Sequence, residues 1–376
     1  MNAKRSRASL GGVGFGLMGV GCILLLLFYA DGAVDAVKKG LQLCHNTVIP
    51  ALFPFMVASE ILVGCGAAAV IGRVLARPFK AVLGVPGAAA CPIVLGALCG
   101  FPTGARAMAT LYDRGELSAR QCTRLLTFIN LPSSAYLISA VGASLLGSRR
   151  TGLLLWGVSL LCALLTALVT RVLLRDDTPH VPQEPQPVRM GASVFTGAVG
   201  AAAQSMLAVC AYVLFFSAVL GALHSALAGI VLPPAWHAIL YGLLEMSGGM
   251  ARAAAIPSAT QAAMVCAALA AWSGLSVMCQ VMTVCHGRGF SFVPYLLAKL
   301  GQAILAAALT GLAVRYLLPL LPPEHVHASI LLPEGTASVL IRAANIGFIT
   351  CCGMGLVRSI KARCLSRRTI DATTFS

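Results

Sequence analysis

Apolar runs longer than about 18 residues, the length at which a segment reads as a membrane-spanning helix, recur along the whole of this chain. Two of them are broken at corresponding places. The run Ala88–Tyr112 is interrupted at Gly100-Phe101-Pro102-Thr103-Gly104, and the run Trp236–Ile256 at Glu245-Met246-Ser247-Gly248-Gly249, an offset of 245 − 100 = 145 residues. The arms of the first run hold only about 12 residues each, too few to cross a hydrocarbon core that needs roughly 20. Two short arms joined by a Gly/Pro tip predict a re-entrant helical hairpin, and the second run repeats the plan. Glu245 is the sole acidic residue between Met190 and Leu321. An ionisable group at membrane depth is a functional hypothesis by default. Paired interruptions in two halves of a chain point to the substrate site of a duplicated transporter fold.

Composition fixes the class. Of 376 residues, 58% are hydrophobic and 10% charged, with mean hydropathy +0.87. Soluble proteins carry about 25% charged residues. The expected fold is an all-α polytopic membrane protein whose partner is the lipid bilayer. The net charge of +15 is spread between apolar runs. It reads as a topology signal facing anionic lipid and not as a nucleic-acid surface. The 14 cysteines form no Cys-x-x-Cys pair and mostly sit inside apolar runs, where the thiol is a small hydrophobe. No phosphate-binding Gly-x-x-x-x-Gly-Lys loop, nucleophile elbow or histidine metal pattern is present, and no paired acids lie at membrane depth. No cofactor and no enzyme activity are expected.

The chain divides as 1–47, a first span and interfacial segment; 48–174, a first repeat with hairpin 88–112; 175–190, a Pro- and acid-rich linker; 191–320, a second repeat with hairpin 236–256; and 321–376, a last span and basic tail. Lys4-Arg5-Ser6-Arg7 before Val13–Ala30 reads as the inside end of an uncleaved first helix. Val48–Gly66 is the next span, with Pro50 and Pro54 in it, and Ile71–Val82 an amphipathic surface helix. Leu125–Leu146 is interrupted at Asn130–Ser134 and Gln261–Val284 at Trp272–Ser276, so the second pair of breaks aligns as well. Val339–Val357 is a final span. Counting each hairpin as entering and leaving on one side gives about eight crossings, both termini cytoplasmic, and two inverted repeats. Gly12 and Gly16 form one small-residue pair that would pack helices within the chain or between protomers of a homo-oligomer.

Val48–Leu62 (VIPALFPFMVASEIL), Val85–Leu117 with GFPTG, Phe128–Gly142, Gly242–Gly249 (GLLEMSGG), Trp272–Gln280 (WSGLSVMCQ) and Gly289–Leu300 (GFSFVPYLLAKL) carry a resemblance over nearly the whole chain. In that order they resemble the sporulation integral membrane protein YlbJ family, whose nucleoside-recognition Gate region is shared with spore maturation proteins, concentrative nucleoside transporters and the membrane part of the ferrous iron transporter. The resemblance implies hairpin tips and unwound helices that bind a nucleoside and a coupling cation, and a role in spore cortex formation. Its Asn-containing segment keeps Asn130 here but continues Pro132-Ser133-Ser134.

The candidate binding residues are Gly100, Phe101, Pro102, Thr103 and Gly104 at one tip and Glu245, Ser247 and Gly248 at the other. Asn130, Ser276 and Gln280 are polar groups beside helix breaks that supply either ligand contacts or links between helices. The first tip frees backbone groups that meet either a ligand or neighbouring helices. Glu245 either ligates a cation, hydrogen-bonds a solute hydroxyl, carries a proton, or pairs with Arg252. Arg106 either meets an anionic substrate or Glu245, or counts as a surface arginine. The expected activity is secondary transport of a nucleoside-like or other small polar solute, coupled to Na+ or H+. The alternative is a membrane scaffold of the sporulation machinery that moves nothing.

Overall fold

The computed structural model describes residues 2–174, 192–230 and 232–317, and every regular element among them is helical. α1 (Asn2–Phe28) turns at Tyr29 into α2 (Ala30–Leu43), the mixed segment expected at the interface. α2 is amphipathic and lies against α9 (Ala192–Ala226). Glycines set that approach: a Cβ on Gly32 would lie 2.9 Å from the Gly221 carbonyl. α3 (Ile49–Gly64) holds 16 residues with Pro54 inside, so the expected span Val48–Gly66 falls short of the roughly 20 residues a crossing needs.

α4 (Ala67–Leu83) is the expected basic amphipathic helix. A helix leaves its last four carbonyls without internal partners, at the negative end of its dipole. Two arginines serve them here. Arg171 donates to Ala81 O at 2.6 Å and Val82 O at 2.8 Å. Arg124 donates to Leu83 O and, at 3.0 Å, to Gly84 O.

Both expected hairpins are present as broken helices. α5 (Ala90–Cys99) and α6 (Thr103–Asp113) flank the first break, and α10 (Pro234–Leu244) and α11 (Met246–Ala253) the second. At 1.5 Å per residue the arms are only about 12–17 Å long. Each pair closes on glycine: a Cβ on Gly104 would lie 2.8 Å from Gly96 Cα, and one on Gly249 would lie 2.6 Å from Gly242 N. After each hairpin comes a serine-capped helix. Ser118 accepts from Gln121 N at 3.1 Å to open α7 (Ala119–Ile129), and Ser258 from Gln261 N at 3.4 Å to open α12 (Ala259–Trp272). α7 unwinds at Asn130 and resumes as a π-helical segment, Tyr136–Leu145. α12 breaks at Ser273 and Gly274, with φ of 75° and 77°, and continues as α13 (Gly274–Cys285). α8 (Arg149–Leu173) and α14 (Val293–Tyr316) complete the two series.

Among the described residues, four helices are long and apolar enough to cross a membrane: Arg149–Leu173, Ser193–Ala226, Ala259–Cys285 and Val293–Tyr316. Counting the bent pairs Gly12–Phe28 with Ala30–Asn46 and Val70–Leu83 with Gly87–Cys99 as one span each gives up to six among the described residues, where the about eight expected were counted over the whole chain. The expected linker 175–190 and the last span Val339–Val357 lie outside the described residues. The halves are tied at one end. Arg288 donates from Nε to Asp113 Oδ1 at 2.8 Å and from Nη2 to Oδ2 at 2.7 Å, beside the edge-to-face rings of Tyr112 and Phe290.

Candidate functional site

Glu245 interrupts the second hairpin because it takes an extended conformation, φ −140° and ψ 119°, between α10 and α11. That places its carboxylate over the start of α11. Oε1 accepts from Ser247 N at 2.9 Å and Oε2 from Gly248 N at 2.6 Å, so the acid caps the helix it opens. One turn on, Arg252 donates to Gly248 O at 3.1 Å, and its guanidinium carbon lies 3.6 Å from the Tyr241 ring centroid. The Tyr241 hydroxyl in turn meets His224 Nδ1 at 2.9 Å. Acid, guanidinium, phenol and imidazole thus sit in one cluster at the tip.

The cluster opens into a cavity of about 940 Å³. Glu245, Ser247, Gly248 and Arg252 form one wall, and His224 and Ser217 of α9 another. Tyr136 and Ser139 of the π-helical segment close a third, and α2 closes the last with Asp35 and Lys39. Tyr136 links the first half to the second tip, its hydroxyl 3.6 Å from Met250 Sδ.

The first tip is built differently. Gly100 has φ 78°, a left-handed conformation that favours glycine, and a Cβ there would lie 2.9 Å from Ser133 Cα. Phe101 N donates to Leu131 O at 2.8 Å and Thr103 N to Gly100 O at 3.0 Å; the Phe101–Pro102 peptide is cis. Thr103 is 2% exposed, Pro102 and Gly104 are buried, and Phe101 packs against the apolar cluster that holds Met246 of the other tip. Of the backbone groups at the break, Phe101 N is thus met by the unwound stretch, and Leu98 O accepts from Ser134 Oγ at 3.3 Å. The tips therefore approach through packed side chains. Gly100, Phe101, Pro102, Thr103 and Gly104 do not line the cavity, and neither do Asn130, Ser276 and Gln280, the last two of which are buried on α13.

Arg106, offered above as a partner for substrate or for Glu245, pairs instead with Glu60 of α3 and donates to Ser205 of α9. Both members are mostly buried. Removing one partner of such a pair strands the other's charge, at a cost of about 3–5 kcal/mol when burial is complete and less here. Glu60→Gln is expected to lower the detergent melting temperature more than the double variant Glu60→Gln/Arg106→Met does. A double variant as unstable as the single one would show that charge stranding is not the cause.

Two further residues were not singled out in the sequence. Lys299, on α14, is 1% exposed and its amino group donates to the Asn130 carbonyl, the first carbonyl past the end of α7. Gln302, one turn later, donates to Thr127 O and Thr166 Oγ1, both at 3.0 Å. The signal for Lys299 was available, since a lysine stands alone there amid the apolar stretch Val293–Val314.

Residues 46–149 match the protein family described as Gate: Nucleoside recognition. The chain is also similar to the sporulation integral membrane protein YlbJ of Bacillus subtilis (strain 168), 26% identical over 318 residues, which cover 75% of this chain and 78% of that protein. No solved structure matches it. The resemblance drawn from the six sequence stretches is thus supported by both comparisons. The Gate region runs from the start of α3 through the π-helical segment and contributes Tyr136, Ser139 and Leu145 to the cavity. Glu245 and its tip lie beyond it.

Proposed function

We propose that this chain is a secondary transporter of the bacterial cell membrane that moves a small polar solute, of nucleoside type, through the cavity at the Glu245 tip. The observation that carries this reading is the cavity itself. A volume of about 940 Å³ whose largely apolar wall carries a carboxylate, a guanidinium, hydroxyls and tyrosine rings at a few points is a ligand-sized space of the kind that binds small molecules. Serine hydroxyls and Glu245 suit the hydroxyls of a sugar, and the rings of Tyr136 and Tyr241 suit the face of a base. The name of the matching family, nucleoside recognition, favours the same class, and the name of the Bacillus relative favours a role in sporulation. The two series of hairpin, capped helix, broken helix and span are inverted repeats, with both termini cytoplasmic. A cation gradient drives the movement, and the chain moves its solute without transforming it.

The test is uptake by proteoliposomes of the full chain against a panel of radiolabelled nucleosides and other small polar metabolites. At least one is expected to accumulate. Glu245→Gln keeps a cap but loses the charge, and is expected to lower uptake at least about tenfold, equal to 1.4 kcal/mol. Unchanged uptake would remove Glu245 from the mechanism, and no uptake of any solute would remove transport. One observation favours the second reading, a scaffold: the first tip packs on Leu131–Ser133 and contributes no residue to the cavity. A Glu245→Gln strain that sporulates normally, with no solute taken up, is the outcome that reading requires.

A further inference from the structure

Where a helix unwinds inside a membrane protein, the carbonyls it frees, and the negative end of the half-helix before them, form the place where transported or coupling cations are held. The first half of this chain has such a place at the end of α7. Asn130 leaves the helix with φ −92° and ψ 85°, and its main-chain oxygen is the first one released. That oxygen is not vacant: it accepts from the amino group of Lys299. The lysine is 1% exposed, and among the described residues no carboxylate forms an ion pair with it. What faces the amino group is a carbonyl, the α7 C-terminus and, 6.0 Å away, the Tyr295 ring. These are the partners a cation takes when no anion is supplied. The same residue carries a further oxygen without a hydrogen-bond partner, its buried Oδ1, while its Nδ2 donates to Leu126 O at 3.2 Å. Gln302 continues the pattern by binding Thr127 O, one turn back along α7.

We propose that Lys299 is a tethered cation: its ammonium group occupies the place at the end of α7 where a free sodium ion would sit, so that solute movement does not depend on sodium and the driving cation gradient is that of the proton. The proposal rests on the transport reading for its consequence, but its structural content is read on the unliganded chain. Lys299 is a positioning residue here. It holds the unwound segment Asn130–Ser134 against α14, and through Ser133 that segment seals the first tip.

The experiment compares melting of the purified full chain in sodium chloride and in choline chloride at equal ionic strength. A ligand that binds only the folded state stabilises it by RT ln(1 + [L]/Kd), so a bound sodium ion reads out as a shift. The wild-type chain is expected to melt within about 1 °C in the two salts. Lys299→Ala vacates the place and leaves the Asn130 carbonyl without its donor, so this variant is expected to melt several degrees higher in sodium than in choline. Sodium stabilisation of the wild type would overturn the proposal, and so would a Lys299→Ala chain that folds and ignores sodium. If that variant fails to fold, the wild-type comparison and Lys299→Gln decide. In proteoliposomes, exchanging sodium for choline is expected to change uridine uptake less than about twofold, and a tenfold loss would overturn the proposal. Absence of all uptake sinks the transport reading and leaves the melting comparison to judge this one.

Discussion

Gly249→Ala is expected to unfold the second hairpin's packing at a cost of about 3 kcal/mol or more, at the upper end of what overfilling a packed interior costs. The reason is the kind of atom the new methyl meets. It would lie 2.6 Å from Gly242 N and 2.9 Å from Ala238 O, both backbone, and neither can swing away as a side chain does. The only relief is to move α11 off α10. That displacement carries Glu245 with it, because the acid is held by Ser247 N and Gly248 N at the first turn of α11. Melting temperature and uptake are therefore expected to fall together. Gly200→Ala is the matched control. Gly200 lies on α9 with nothing within 4 Å of a Cβ, and alanine there relieves the conformational cost of a helical glycine by about 0.5–1 kcal/mol. A Gly249→Ala chain that melts within about 1 °C of the wild type would show that the two arms are not in rigid contact.

The same glycines explain what the sequence could and could not disclose. Helix breaks are local events, written in residues that cannot continue an apolar helix smoothly. Gly100 with Pro102, Asn130 with Pro132, Glu245, and Ser273 with Gly274 all mark breaks where the chain itself suggested them. The amphipathic α4 was equally legible, since Arg73, Arg77 and Lys80 share its polar face. Partnerships across the fold were not legible. Arg106 meets Glu60, 46 residues earlier, because α3 lies against α6, and nothing in the spacing of the two residues encodes that contact. Glu245 offered a more obvious partner only because it shared the symmetry argument. The same holds for Lys299, a lone charge in an apolar stretch whose partner, the Asn130 carbonyl, lies 169 residues earlier.

The cavity lies beside the second tip and not between the two. Symmetry between halves put it between the two tips, but symmetry takes no account of α2. That helix, read only as an interfacial segment, packs along α9 through Gly32, Gly40 and Gly221 and walls the space next to the second tip alone. Nothing equivalent among the described residues stands beside the first tip, where Leu131–Ser133 fills the gap instead. An element outside the two series of broken helices thus makes the cavity one-sided.

That asymmetry makes Ser139→Trp the decisive functional substitution. Ser139 lines the cavity from the π-helical segment, and its side chain is exposed there. Its carbonyl already accepts from Ser144 Oγ at 3.1 Å, a bond the substitution leaves intact. An indole at this position takes up space that the solute needs without entering a packed core, so stability should change by no more than about 0.5 kcal/mol. Uptake is expected to fall about 100-fold, equal to roughly 2.7 kcal/mol. Thr103→Val alters the first tip at a position 2% exposed and away from the cavity, and is expected to change uptake less than about threefold. The opposite ranking, with Thr103→Val severe and Ser139→Trp mild, would move the solute to the first tip and make the cavity beside α2 incidental. The pair separates the two locations because both substitutions keep the backbone and remove no charge. Whichever wall the solute touches is the one whose change it feels.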